Sequence, residues 1–139
     1  MEFNSGSKTR DRLSGTLPDT FRNAPSMQSF LFCFQFVNGT VSDEMIASWP
    51  NIQEVRLINN SLSGTIPPSL TTRVSLELLE LQSNYFTGTI PRFNAPLVNL
   101  TLINIEHNKG LSGSFPDSIV INPALQMVAL NNIGQLQGT

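Results

Sequence analysis

The sequence has very few residues that support enzyme chemistry. Its 139 residues include one cysteine, Cys33, and one histidine, His107. A single cysteine excludes an intrachain disulfide, and a zinc site would lack ligands. We therefore expect no bound metal and no cofactor.

Charge and long apolar runs are also scarce. Charged residues make up 13% of the chain, the formal net charge is −2, and the basic residues form no stripe that would bind phosphates. No stretch approaches the 18 consecutive apolar residues of a membrane span, and the N-terminus lacks the apolar block of a signal peptide. The sequence predicts neither nucleic-acid binding nor membrane insertion by this segment.

Residues 1–12 differ from the remainder of the chain. They are rich in Ser, Lys, Arg and Asn and have no period, which is typical of a flexible leader or a cloning artefact. The predicted domain is 13–139, a length that suits a single unit.

A repeated phrase dominates this domain. The segment Leu62-Ser-Gly-Thr-Ile-Pro67 has versions along the whole domain, and their glycines, at 15, 39, 64, 88, 113 and 138, are 24 or 25 residues apart. The sequence therefore predicts a repeat protein, with repeats starting at 13, 37, 62, 86 and 111 and a truncated sixth at 136.

A second phrase, L-x-x-L-x-L-x-x-N, recurs inside each repeat, as in Leu76, Leu79, Leu81 and Asn84. Its L-x-L part alternates with period two, which indicates a short strand with one face inward. Equal turns stack such strands in parallel. We expect one parallel sheet with strands centred on residues 30–32, 55–57, 79–81, 103–105 and 128–130.

The amide that ends this phrase predicts an asparagine ladder formed by Asn60, Asn84 and Asn108. Each buried side chain would bond backbone groups of neighbouring turns. Gln35 could serve imperfectly in the same position, whereas Ile133 could not. The Gly-x-x-Pro phrase, in contrast, indicates a bend, and the segments that follow it suit short helical or 3₁₀ stretches.

The two phrases together, from Leu13 to Thr139, resemble the plant-type leucine-rich repeat, L-x-G-x-I-P-x-x-L-x-x-L-x-x-L-x-x-L-x-L-x-x-N. That family occurs in plant receptor-like kinases and receptor-like proteins, in polygalacturonase-inhibiting proteins and in surface antigens of kinetoplastid parasites. The resemblance implies an α/β repeat solenoid, a right-handed superhelix with a parallel sheet on its concave face and short 3₁₀, helical or irregular convex segments. The paired-cysteine caps common in secreted plant members are absent, so we expect a piece of a longer parent protein.

The repeat alignment argues against an enzyme. Cys33 and His107 fall on turns three repeats apart, so they cannot form a catalytic pair without breaking the stack. His107 instead follows Glu106, and we expect the two to form a solvated pair at the strand edge.

The outward positions of the strands hold the predicted binding face. Leu78, Leu102 and Met127 occupy equivalent positions and would form an exposed apolar stripe, as at interaction sites. A neighbouring domain or ordinary surface tolerance would also account for the stripe. A second apolar area, formed by Leu31, Cys33 and Phe34, would be covered by a preceding repeat or cap. The polar residues predicted beside the stripe are Glu80, Gln82, Asn104 and Glu106.

Three N-x-S/T sequons, at Asn38, Asn59 and Asn99, fall outside the ladder. They favour an extracellular or cell-surface parent, and they are possible N-glycosylation sites.

These features predict a non-catalytic recognition module that binds a protein, peptide or glycan partner through the concave face. The alternatives are a structural or antigenic surface-coat repeat protein and a secreted inhibitor of a hydrolase. Uncapped ends would also permit edge-to-edge self-association.

Overall fold

The computed structural model describes residues 13–137. The predicted leader, 1–12, and the final residues 138–139 of the predicted sixth repeat lie outside the described residues. The described chain forms short strands and two short α-helices in the order β1 (Ser14–Thr16), β2 (Ser29–Leu31), β3 (Phe36–Thr40), α1 (Asp43–Ala47), β4 (Glu54–Arg56), β5 (Ser61–Thr65), β6 (Leu78–Glu80), β7 (Tyr85–Thr89), β8 (Leu102–Asn104), β9 (Gly110–Ser114), α2 (Asp117–Val120), β10 (Met127–Ala129) and β11 (Leu136–Gln137).

The concave sheet has five parallel strands in the order β10-β8-β6-β4-β2. This confirms the predicted repeat solenoid with parallel strands. Each strand is centred one residue earlier than expected, at Leu79 in β6 for example. Inter-turn hydrogen bonds nevertheless continue beyond the strand, since the Leu81 amide donates to the Asn104 carbonyl at 2.8 Å.

A second parallel sheet, in the order β1-β3-β5-β7-β9-β11, corrects the interpretation of the Gly-x-x-Pro phrase as a bend. The phrase recurs at the same place in each turn, so its backbone groups pair with those of the neighbouring copies. Glycine permits this close approach: Gly64 has φ +79°, and a Cβ there would lie 2.9 Å from Cγ2 of Thr40. Local composition favoured a bend, whereas pairing between turns produces a strand.

The convex side is irregular. It contains 3₁₀ turns at Asp19–Asn23 and Pro68–Thr72 and the two α-helices. Proline precedes most of these segments, but Ser42 precedes α1, and its Oγ accepts a hydrogen bond from the Met45 amide at 3.1 Å. The departure of the second repeat from the pattern therefore provides an N-cap.

The core is a continuous apolar column between the two sheets and the convex segments. The L-x-L residues supply most of it; Val55, Leu57 and Leu79 are buried. Trp49 fills the second turn, with its ring centroid 4.7 Å from that of Phe30 and its Nε1–H donating to a carbonyl of the preceding turn at 2.9 Å.

Buried asparagines connect the turns, and Asn84 illustrates their geometry. Its Nδ2 donates to the Leu57 carbonyl of the preceding turn at 2.6 Å and to the Leu81 carbonyl of its own turn at 3.1 Å. Its Oδ1 accepts from the Leu62 amide at 3.0 Å. Each side chain thus satisfies several backbone groups at once. The other members with this arrangement are Asn60 and Asn108.

The arrangement changes at both ends. Oε1 of Gln35 accepts from the Leu13 amide at 2.6 Å, and its Nε2 donates to the Cys33 carbonyl at 3.0 Å. At the other end Ile133 has no side-chain amide, so the Leu111 backbone amide donates instead to the backbone carbonyl of Asn108 at 3.1 Å.

Candidate functional site

The apolar stripe lies on three adjacent strands of the concave sheet. Leu78 on β6 pairs in register with Leu102 on β8, which pairs with Met127 on β10. Their chain neighbours Leu79 and Ile103 are buried, whereas Met127 is 52% exposed and the two leucines are half-buried. Because side chains alternate across a strand, the three stripe residues project from the concave face as one patch.

One arginine organises the charges beside the stripe. The Nε atom of Arg56 lies 3.3 Å from a carboxylate oxygen of Glu54 and 3.2 Å from one of Glu80. Glu80 is half-buried and already paired across the sheet. Its carboxylate is therefore less available to a partner than the sequence suggested.

The next polar positions are held by hydrogen bonds. Oδ1 of Asn104 accepts from the backbone amide of Glu106 at 3.1 Å, and the Glu106 carboxylate accepts from Nδ2 of Asn131. Gln82 is half-buried, and its Oε1 atom has no hydrogen-bond partner among the described residues. The atom is enclosed by the protein, so this acceptor is not presented to a ligand on the concave face.

The second apolar area lies at the other end of the concave face. Phe34 is 56% exposed, and Leu31 and Cys33 are half-buried. Burial raises the pKa of the Cys33 thiol, which keeps it uncharged at neutral pH. In the part of the chain that the structure describes, no group of three His, Cys, Asp or Glu side chains could hold a metal ion.

His107 does not pair with Glu106 as expected. Its backbone is left-handed, with φ +56°, and this separates the directions of the two side chains. Nδ1 of His107 lies 2.8 Å from Nδ2 of Asn132, whereas Glu106 bonds to Asn131. Left-handed backbone recurs just before the ladder position in every described turn, at Phe34, Asn59, Ser83, His107 and Asn132.

A polar groove of about 580 Å³, absent from the sequence predictions, lies along this left-handed row. Tyr85 and Lys109 border it, and Tyr85 is 65% exposed. The spacing offers one signal for it: two residues separate Asn108 from Leu111, whereas only one separates Asn84 from Phe86.

The three sequon asparagines, Asn38, Asn59 and Asn99, are all exposed. Asn38 lies on β3 of the second sheet, and Asn59 lines the polar groove. Nδ2 of Asn99 donates to the Val74 carbonyl on the convex side at 3.0 Å. None of the three lies on a strand of the concave sheet.

None of the helices within residues 13–137 is long and apolar enough to cross a membrane.

Comparisons with known proteins agree with this architecture. The family model described as Leucine Rich Repeat matches residues 51–72, and no curated protein sequence matches the chain. The chain is similar to the Arabidopsis receptor kinase HAESA in complex with the peptide hormone IDA and the co-receptor SERK1, with 28% identity and a TM-score of 0.81 over 89% of this chain and 20% of that chain.

Two further structures cover most of this chain. A Pollen Receptor Kinase 3 has 32% identity and a TM-score of 0.74 over 93% of this chain and 60% of that chain. The leucine-rich-repeat ectodomain of the Arabidopsis receptor kinase SOBIR1 has 24% identity and a TM-score of 0.79 over 93% of this chain and 70% of that chain. HAESA and three other similar receptor chains are much longer, and this chain spans 15% to 21% of their length.

The two repeated phrases, the stacked parallel strands and these similarities agree: the chain has the leucine-rich-repeat fold, and its residues 51–72 match the family model itself.

Proposed function

We propose that this chain is a non-catalytic recognition module that binds a peptide or protein partner through its concave face. The observation that carries the proposal is the apolar stripe of Leu78, Leu102 and Met127, which lies in register on three adjacent strands. A contiguous apolar patch with a polar rim is typical of a binding surface.

The polar rim supports a ligand with hydrogen-bond donors. The concave strands and the positions after them carry three carboxylates, of Glu54, Glu80 and Glu106, against the one guanidinium of Arg56. An extended peptide with a basic or hydroxyl-bearing side chain beside an apolar one would match this surface.

Similar proteins support a peptide ligand. HAESA is described in complex with the peptide hormone IDA, and the plant peptide hormone receptor RGFR1 is described in complex with RGF2. These chains are receptors, and this parallel together with the exposed sequon asparagines Asn38, Asn59 and Asn99 favours an extracellular or cell-surface parent. Glycan ligands remain part of the proposal, as does self-association through β2 and β10, the edge strands of the concave sheet.

The test begins with a displayed peptide library selected against the immobilised chain. The enriched peptides are then titrated by calorimetry against a variant carrying Leu78→Asp and Leu102→Asp. We expect binding to fall at least a hundredfold, because two charges would be buried in an apolar interface. Each half-buried leucine should also contribute about 1 kcal/mol to stability, so the melting temperature should fall by several degrees only.

Val74→Asp is the matched control, because Val74 is 65% exposed on the convex side. That variant should keep both its melting temperature and its peptide affinity. Full binding by the folded double variant would place the ligand elsewhere and refute the proposal. Complete unfolding of the double variant would show instead that the stripe belongs to the core.

A further inference from the structure

The polar groove differs chemically from the concave stripe. Its lining includes Asn59, Ser83, Tyr85, His107, Lys109 and Asn132, and the structure gives it no acidic and no aliphatic side chain. The aromatic ring of Tyr85 is 65% exposed. An exposed ring beside amides, hydroxyls and one ammonium group is poorly suited to an apolar peptide side chain.

Hydrogen bonding within the groove provides both donors and acceptors. Nδ2 of Asn132 lies 2.8 Å from Nδ1 of His107. If the amide donates this bond, the imidazole carries its proton on Nε2 as a donor, and Oδ1 of Asn132 is an acceptor. The hydroxyl groups of Ser83 and Tyr85 can act in either role, and Lys109 adds a further donor.

The groove also has a structural origin in the fourth repeat. The additional residue between Asn108 and Leu111 forms a turn closed by the hydrogen bond from the Leu111 amide to the Asn108 carbonyl at 3.1 Å. Lys109 and Gly110 of this turn line the groove together with Tyr85 of the preceding turn, and Gly110 pairs with Thr87 on the neighbouring strand.

We propose that this groove is a saccharide-binding site, with a sugar ring stacked on Tyr85 and its hydroxyl groups bonded to Ser83, His107 and Asn132. A sugar ring presents an apolar C–H face that suits an aromatic ring, and its hydroxyl groups both donate and accept. The site is separate from the concave stripe and does not depend on the peptide ligand proposed above.

The saccharide has two possible sources, a free oligosaccharide or an N-glycan of this same chain. Asn59 is exposed, lines the groove and begins the sequon Asn59-Asn-Ser61. A glycan on Asn59 would start inside the groove, one turn away from Tyr85. This second source rests on the extracellular parent of the proposed function, whereas the first does not.

The experiment titrates N,N′-diacetylchitobiose into the full chain, produced without glycosylation in bacteria and labelled for amide nuclear magnetic resonance. We expect saturable shifts at Tyr85, His107 and Lys109 and none at the stripe. Tyr85→Ala should lower the affinity at least about fivefold, whereas Tyr85→Phe keeps the ring and should retain binding. The control is Phe36→Ala, which removes an exposed ring from the equivalent strand position two turns earlier and outside the groove.

Absence of saturable shifts in the folded chain, or equal affinity of the Tyr85→Ala variant, would overturn the proposal. The source is decided with protein secreted from a eukaryotic host. Ser61→Ala removes the sequon and leaves Asn59 in place. If chitobiose binds this variant but not the glycosylated parent, the occupant is the resident glycan. Equal binding, or no glycan on Asn59, assigns the groove to a free saccharide.

Discussion

The strand-bearing side and the convex side of the solenoid are stabilised in different ways. On the strand-bearing side the same bonds recur in the three central turns. The side chains of Asn60, Asn84 and Asn108 each accept a hydrogen bond from one backbone amide of the preceding turn. Each also donates to backbone carbonyls of that turn and of its own. Because the turns are nearly equal in length, the same residue type lies at the same place in neighbouring turns, and the same hydrogen bonds form there.

On the convex side almost every junction between turns is different. The Asp43 carboxylate accepts from both the amide and the hydroxyl of Ser69, at 2.7 and 2.8 Å. Two junctions further, Oγ of Ser118 accepts from the Phe93 amide at 3.0 Å, and Asn122 is buried with its Oδ1 accepting from the Leu97 amide.

This difference shows that the repeat period determines the bonds between turns on the strand-bearing side and not those on the convex side. The strands must match their neighbours along their whole length, whereas a convex segment needs only to bury its apolar residues and satisfy its own backbone groups. A mutation in the ladder should therefore affect two turns, and a mutation on the convex side should act locally.

Asn84→Ala should produce the largest loss of stability. The substitution leaves the Leu62 amide without its bond inside the core, and it removes the shorter of the two side-chain bonds that the Leu57 carbonyl accepts. Loss of such buried pairing costs roughly 1–3 kcal/mol, and we expect the upper part of that range in urea unfolding. The control, Asn94→Ala, alters an exposed residue of the convex side and should cost less than about 0.5 kcal/mol. Equal unfolding midpoints for the two variants would contradict a stabilising ladder.

Asn122→Ala should have an intermediate effect. Its side chain is buried, and its Nδ2 donates to the Ile119 carbonyl at 2.8 Å, so its removal should cost about 1–2 kcal/mol. Asn99→Ala is the matched control, because Asn99 bonds the Val74 carbonyl from an exposed position. Hydrogen exchange should show the Asn122 variant opening near Leu97 and Ile119 only. Loss of amide protection throughout the concave sheet would show that the convex side is as cooperative as the ladder.

Ser42→Ala should have the smallest effect of the three. The Ser42 hydroxyl accepts the one side-chain bond to the Met45 amide at the start of α1, and an N-cap of this kind contributes about 1 kcal/mol. Ser42→Asp should restore that stability because aspartate also caps helices well. Thermal unfolding measures the stability of both variants. A loss of stability in Ser42→Ala as large as that in Asn84→Ala would contradict the difference between the two sides.

The sequence predicted most of the strand-bearing side because its signals repeat. The L-x-L register gave the buried positions of Leu79 and Ile103, and the same register put Leu78 and Leu102 on the opposite face. The second sheet was missed because glycine and proline indicate a bend when a segment is considered alone. Asn122 was missed because no other repeat has a counterpart that would mark its role.

By itself, the sequence determined the number of turns, the inward residues and the parallel stacking, because a period of 24 or 25 residues with alternating apolar positions leaves few other ways to bury the core. The tertiary structure alone decided the second sheet, the convex junctions and the polar groove around Tyr85. These features depend on contacts between residues about one turn apart, such as the approach of Gly64 to Thr40. Such contacts follow from how each turn lies on the next, and the sequence marks only the groove, through the additional residue between Asn108 and Leu111.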